Sequence, residues 1–324
     1  MARKLKGKKG MKGLKAALSR QQADVKSKEK LKKKISHTQN KGQLTKDVVR
    51  NQQRQREQAQ NVLPFEKEST LMLIGEGDFS YACSIVKQGL ILPENLIVTS
   101  YDNSPSELQL KYPHSFGPNY NILMENQVKV FFKTDATMLV KSLKITKKSP
   151  WTKLLGPEWR NKRLQNIMFN FPHTGRGIKD QDRNIAEHQA LVLGFFQSSQ
   201  DLFGLANSVN ETNLAQDYSI FKDDMGATTQ EENKCRVILS VFTGEPYDSW
   251  QIKMLAKKSG WKVERSSQFW WDQYPDYHHR RTNSEQDTTK PASERSARVY
   301  IFERWGDSRK AAKEANEKGN YASE

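Results

Sequence analysis

Seven short apolar runs, at residues 71–74, 96–100, 128–132, 165–169, 235–242, 261–270 and 297–305, recur along the chain. Most are apolar almost throughout, not at every second position. That pattern predicts strands covered on both faces, as in a parallel sheet flanked by helices. The stretches between the runs carry helix signals. An amphipathic segment follows Gly77, Pro105 stands at the first position of a helix over 105–111, and Asp135 is placed to cap a helix over ATMLVKSL. The longest is 182–203, whose Ile185, Leu191, Leu193, Phe195, Phe196 and Phe203 form a face for packing on the sheet, with His188 a helix-surface or packing residue. Asp248 or Ser249 is positioned to cap a helix over 250–258 that Gly260 ends. No helix separates the last two runs, so the seventh strand is expected to pair antiparallel beside the sixth. The fold class is therefore α/β, with one seven-stranded sheet.

Charge changes this picture at one end. The 324 residues carry a formal net charge of +16, but residues 1–60 hold 19 Lys+Arg against 4 Asp+Glu, leaving 34 against 33 for the rest. The basic character is thus a property of the tail. Its sequence, MARKLKGKKGMKGLKAALSRQQADVKSKEKLKKK, has few large apolar residues to bury and is expected to be disordered. Such a tail suits polyanions, nucleic acid first, and Lys-rich clusters also read as nuclear targeting. A membrane role is disfavoured: there is no aromatic-rich apolar face, no Met-Gly start and no run of about 18 apolar residues. Cys83 and Cys235 read as reduced, partly buried thiols, and without a C-x-x-C or partners for His278-His279 no metal site is expected. The expected organisation is a tail over 1–60, one domain over 61–305 and a charged tail over 306–324. Polar insertions fall at about 204–234 and 282–297, and a Pro/Gly-punctuated loop at 112–121.

Candidate chemistry gathers at the ends of the predicted strands. After the first comes GEGD, with Gly75 and Gly77 giving a tight turn and Glu76 and Asp78 beside them; the helix that follows offers free N–H groups at its N-terminus. Asp102, ending the second strand, is placed to accept the two hydroxyls of a ribose, and Asp135, after the third, to accept from an adenine amino group or to cap a helix. Two cofactor classes fit, dinucleotides and S-adenosylmethionine. Ser80 stands where a dinucleotide fingerprint wants its third glycine, which favours the second class. After the fourth strand, FNFPHTG makes a rigid polar corner of Asn170 and Pro172 that suits the edge of a planar substrate, or an ordinary turn. The basic segment 146–163 holds Trp151 and Trp159, which read as platforms for unpaired bases or as packing residues.

GEGDFSYA, VTSYDN, TDAT, FNFPHTG, HQALVLGFFQSSQDL and TGEPYDSW, in this order over about residues 65–305, closely resemble the eukaryotic 25S/28S ribosomal RNA uridine-N3 methyltransferase-like family. The chain departs from family habit at Asp276, where a glycine is more usual, and in the 204–234 insertion. The resemblance implies a Rossmann-like, S-adenosylmethionine-dependent methyltransferase acting on large-subunit ribosomal RNA or a pre-ribosomal particle in the nucleolus, as a monomer. It puts cofactor contacts on Gly75, Glu76, Gly77, Asp78, Asp102 and Asp135 and the catalytic corner on Asn170, Pro172 and His173. Uridine N3 carries a proton at neutral pH. Asn170 would orient the uracil edge and His173 would accept that proton directly or through water. Phe169 or Phe171 would stack on the extruded base, and Arg176, Arg280 and Arg281 would meet phosphate. Two other classes remain open: a non-catalytic ribosome-assembly factor on the same fold, and an NAD-dependent oxidoreductase.

Overall fold

A computed structural model describes residues 63–147, 151–218, 234–282, 284 and 291–305. The chain divides into Met1–Asn61 and Val62–Glu324, and everything below concerns the second unit; the readings made for the two tails fall outside the described residues. In chain order the main elements are β1 (Leu71–Ile74), α1 (Ser80–Lys87), β2 (Leu96–Thr99), α2 (Pro105–Lys111), α3 (Phe116–Glu125), β3 (Lys129–Phe131), α4 (Leu139–Ser142), α5 (Trp151–Leu155), β4 (Asn166–Asn170), α6 (Gln181–Tyr218), β5 (Arg236–Phe242), α7 (Ile252–Lys258), β6 (Trp261–Gln268) and β7 (Ala297–Arg304).

One sheet runs β3-β2-β1-β4-β5-β7-β6. Its first five strands are parallel, and β7 lies antiparallel to both β5 and β6. The continuous apolar runs are explained by two cores. Met72, Ile74, Ile97, Ile167, Val237 and Leu239 face α6 on one side, while Leu71, Leu73, Leu96, Val98, Met168 and Ile238 face α1 and α3 on the other. Alternate side chains thus enter opposite cores, and the polar residues Thr99, Asn166 and Ser240 of the central strands are buried and hydrogen-bonded.

Four local expectations are corrected. The loop expected over 112–121 contains most of α3, because Gly117 and Pro118 fall in its first turn, where backbone N–H groups lack intrahelical partners anyway. Helix α6 does not end at 203 but runs to Tyr218, so the helix takes the first half of the expected insertion loop. Asp135 caps no helix: its Oδ1 accepts from the Thr137 N–H (2.8 Å) and hydroxyl (2.7 Å), a local turn, and α4 starts only at Leu139. Likewise α7 begins at Ile252 behind Gln251, which is left-handed (φ 53°), with no side-chain cap from Asp248 or Ser249. Trp151 and Trp159 are both 1% exposed and meet edge to face at 5.6 Å in the α6-side core. Their rings are structural and closed to bases. Cys83 and Cys235 are buried, and the Cys235 thiol lies 3.4 Å from the Asn207 amide.

Candidate active site

The carboxyl ends of β1, β2, β4 and β5 open into one cleft of about 1240 Å³. Chain connections leave in opposite directions from β1 and β4, and open α/β sheets bind ligands at such a point. The sequence-predicted residues lie around this cleft, Arg176, Arg280 and Arg281 included.

The turn after β1 is built close to its neighbours. Gly75 is left-handed (φ +69°), and a Cβ there would sit 2.8 Å from Cε2 of Phe169 on β4. A Cβ on Gly77 would stand 3.1 Å from the Tyr112 hydroxyl. The two acids of the turn bend back onto α1. Glu76 accepts from the Ala82 N–H (3.3 Å) and Asp78 from the Ser80 N–H (3.0 Å). Carboxylates there also meet the positive end of the helix dipole. The N-terminus expected to be open to a ligand anion is therefore occupied by the chain's own acids. Burial pushes the Glu76 carboxyl up to about 8, and the nearby Asp78 raises it further, against the Ala82 hydrogen bond.

A strap over 274–282 crosses the turn. Ser80 Oγ contacts the backbone N and O of His278 at 3.2 Å, Arg280 Nε lies 3.5 Å from Asp78, and the Tyr112 hydroxyl is 2.9 Å from the Arg281 carbonyl. Asp276 in this strap pairs with Lys87 at 3.3 Å and is absent from the left-handed residues, so its backbone makes no demand for glycine. At the end of β2, Asp102 is 8% exposed and paired with Lys111, with the Ser100 hydroxyl at 3.4 Å. Lys111 also reaches Glu107, 3.3 Å away.

Opposite the turn is the corner after β4. Register places Asn170 beside Ser240 of β5, and the Ser240 hydroxyl donates to Asn170 Oδ1 at 2.7 Å. The Asn170 amide nitrogen is buried with no hydrogen-bond partner. It is an orphaned donor in a residue that lines the cleft. Phe171 follows in a left-handed conformation (φ 48°), its N–H donating to the Ser240 carbonyl at 2.8 Å. Its ring is stacked on Trp271 (5.4 Å) and tilted on Phe242 (4.6 Å). Phe169 and Phe171 are 6% and 7% exposed, so neither offers an open face to a base; the stacking expected of them is corrected to packing. Pro172 is buried beside them.

His173 stands at the cleft surface. Its Nδ1 accepts from the Gly175 N–H at 2.9 Å, with the Thr282 hydroxyl 3.3 Å away, which leaves the proton of a neutral ring on Nε2. Partial burial, then the neighbouring His188, hold its pKa below the ordinary value. His188 is buried, stacked on Trp250 at 4.7 Å, with Nδ1 2.8 Å from the Asn184 carbonyl and Nε2 3.4 Å from the Thr174 N–H. It is a packing residue that props the corner. Arg176 is held by Glu187 at 2.7 Å and Arg280 by Asp78, while Arg281 is exposed. Sequence reasoning missed Ser240, Tyr112, Lys111 and Arg295. Arg295 lies 3.5 Å from the Phe242 ring centre and donates to the Tyr247 hydroxyl at 2.8 Å. Only their place after or beside the predicted strands could have flagged them.

The sequence model described as rRNA (uridine-N3-)-methyltransferase BTM5-like matches residues 72–281. A 25S rRNA (uridine(2634)-N(3))-methyltransferase of Saccharomyces cerevisiae is 54% identical over 316 residues, 94% of either chain. The chain belongs to the BMT5-like family. The family match starts inside β1 and ends at Arg281 in the strap, so it takes in the GEGD turn, the Asn170 corner and the strap but leaves out β7 and Arg295. An uncharacterized protein of Arabidopsis thaliana is 26% identical over 213 residues, 64% of this chain and 79% of the relative. Among solved structures, the 16S rRNA methyltransferase KamB covers 81% of this chain and 94% of its own at 8% identity and a TM-score of 0.35. Membership of a methyltransferase family implies a methyl donor of the S-adenosylmethionine type. Among the described residues no cluster of His, Cys, Asp and Glu could hold a metal ion, and no helix is long and apolar enough to cross a membrane.

Proposed function

We propose that this member of the BMT5-like family transfers the methyl group of S-adenosylmethionine to N3 of a uridine in large-subunit ribosomal RNA, free or in a pre-ribosomal particle, in the nucleolus. The observation that carries the reading is the orphaned Asn170 amide donor. A buried N–H group without a partner is destabilising by about 1–3 kcal/mol, and a ligand acceptor relieves it. The imide edge of uracil, with an oxygen on either side of N3, supplies such acceptors.

The residues of the turn fit the methyl donor better than a dinucleotide. Glu76 and Asp78 engage N–H groups at the N-terminus of α1, so a pyrophosphate would find those donors taken and would meet the Asp78 carboxylate, whereas an ammonium would not be repelled. Gly75, Glu76, Gly77 and Asp78 would hold the amino-acid end, Asp102 the ribose and Asp135 the base. When bound, the donor supplies an already activated methyl group. The chain's own task is to align N3 and to stabilise it once its proton has left. Asn170 donates to one imide oxygen, held in place by Ser240 and Pro172. The Nδ1 lone pair of His173 is engaged by Gly175, so His173 acts through its Nε2–H as a second donor to the imide, and the N3 proton leaves to water in the cleft. Arg176, Arg280 and Arg281 meet the phosphates beside the extruded nucleotide. The basic tail adds sequence-independent affinity that falls steeply with salt.

Calorimetric titration of the full chain with S-adenosylmethionine and with NADH, followed by nucleoside analysis of large-subunit RNA after incubation, tests the reading. Selective binding of the first and appearance of 3-methyluridine are expected. Binding of neither ligand, with RNA bound but unmodified, would favour the assembly-factor role.

A further inference from the structure

Buried hydroxyl groups need an acceptor, and the acceptor given to Ser240 decides more than local packing. Ser240 is 0% exposed in the middle of the sheet, and its recorded partner among the described residues is Asn170 Oδ1 at 2.7 Å. With the Asn170 amide turned over, Ser240 would accept from the nitrogen and its own proton would lose that acceptor. The hydroxyl therefore selects one of two near-isosteric amide orientations, and in the selected one the NH2 group is the atom left without a partner. The backbone reinforces this: Ser240 and Asn170 are register partners, and the Ser240 carbonyl holds the N–H of Phe171 at 2.8 Å, fixing the turn just beyond the amide.

We propose that Ser240 is a specificity-determining residue that acts through Asn170 to make the site read a carbonyl oxygen beside the methylated ring nitrogen and reject an amino group there. The inference rests on the function proposed above. Uracil flanks N3 with two oxygens. Cytosine replaces one of them with an exocyclic amine, which would face the Asn170 NH2 donor to donor and leave both unsatisfied. Ser240 itself touches no substrate atom. Removing its hydroxyl frees the amide to rotate, presenting an acceptor to cytosine and a donor to uracil with similar ease.

The test uses the full chain, S-adenosylmethionine and two transcripts of the large-subunit target region, identical except that the methyl-accepting uridine, mapped first with wild type, is cytidine in one. Nucleoside analysis gives the ratio of 3-methyluridine to 3-methylcytidine formed at equal kcat/KM conditions. Wild type should modify the uridine transcript alone, within detection. Ser240→Ala should bind the methyl donor as wild type does yet lower the ratio at least about tenfold, while Ser240→Thr, which keeps the hydroxyl, should restore it. A second variant, Asn170→Asp, places an acceptor in the cleft whatever residue 240 is, and should lower the ratio even where Ser240→Ala is too unstable to assay. An active Ser240→Ala or Asn170→Asp with the wild-type ratio overturns the proposal, as does a Ser240→Thr that behaves like Ser240→Ala. If wild type forms no 3-methyluridine, the underlying function fails instead, which is a different result from an unchanged ratio.

Discussion

Replacing Gly75 with alanine perturbs the site at its tightest point, and the structure separates the effect into two parts. The backbone at Gly75 is left-handed, a conformation that costs an L-residue with a Cβ about 1–2 kcal/mol. The added methyl would also stand 2.8 Å from Cε2 of Phe169. That ring is 6% exposed and set edge to face on Phe195 at 5.2 Å, so it has little room to retreat. Forcing a methyl into such packing costs about 1–3 kcal/mol more. The sum is about 2–5 kcal/mol. Gly177 is the control: it too is left-handed, at φ +62°, but a Cβ there meets nothing within 4 Å, so Gly177→Ala should cost only the backbone part, about 1–2 kcal/mol. Equilibrium urea unfolding of the full chain measures both, and at roughly 2–4 °C per kcal/mol the thermal midpoints should separate visibly. A Gly75→Ala no less stable than Gly177→Ala would refute the close approach of the turn to β4, and with it the assigned shape of the cleft floor.

Other outcomes follow from single contacts. Glu76 has a folded-state pKa of about 8 against 4.5 in the unfolded chain, so between these values the folded state holds a proton the unfolded state lacks. Its contribution is fully present below about 4.5 and falls as pH rises toward 8, by up to about 1.4 kcal/mol per unit; the wild-type stability curve minus that of Glu76→Gln should slope downward across this window and be flat above it, and parallel curves would refute the assignment. Trp159→Ala should destabilise by about 3–5 kcal/mol and leave the RNA affinity of the folded fraction unchanged in filter binding; a selective loss of RNA affinity would reinstate the stacking reading. Asn170→Ala should lose at least about a hundredfold in turnover while keeping donor affinity by calorimetry, and equal loss of both would remove its positioning role. His173→Gln, which keeps a donor, should retain the rise of turnover with pH; a flat profile would show that the imidazole takes the N3 proton after all.

The seven strands were legible because each is covered on both sides, so residues such as Leu71 to Ile74 must be apolar without interruption. The glycine turn and FNFPHTG were legible for a related reason: chemistry at a strand's carboxyl end needs unusual backbone, and unusual backbone needs recognisable residues. What sequence could not show is where side chains turn. Glu76 and Asp78 read as cofactor contacts in sequence, but nothing there shows that their carboxyl groups also accept from N–H groups of α1. Trp151 and Trp159 sit among lysines in sequence and in the core in space, because α5 and the turn after it fold inward onto α6. Gly117 and Pro118 signal a loop by composition, but a helix's first turn tolerates both. Ser240 carries no signal beyond its place in the fifth predicted strand. It is one small polar residue in an apolar strand, and only the register of β4 against β5 gives it a partner.

The two walls of the cleft differ in the sign of what they present, and this bears on why one fold discriminates between cofactors that share a ribose and an adenine. In a dinucleotide site the helix N-terminus is left open, and its N–H groups take up phosphate charge. Here the Ala82 and Ser80 N–H groups are engaged by Glu76 and Asp78, and Asp78 faces Arg280 at 3.5 Å, so the wall beside β1 offers those two N–H groups to no phosphate. The wall beside β4 holds donors: the Asn170 amide nitrogen, left without a partner, and the Nε2–H of a neutral His173 ring. On the proposed function, a substrate that becomes anionic when it loses a proton would be stabilised by the donors of that second wall. Asn170 and the His173 imidazole would hold the imide once its proton has left, and the residues of the turn would hold the methyl donor beside it. A dinucleotide pyrophosphate would find the Ala82 and Ser80 N–H groups at the N-terminus of α1 already engaged.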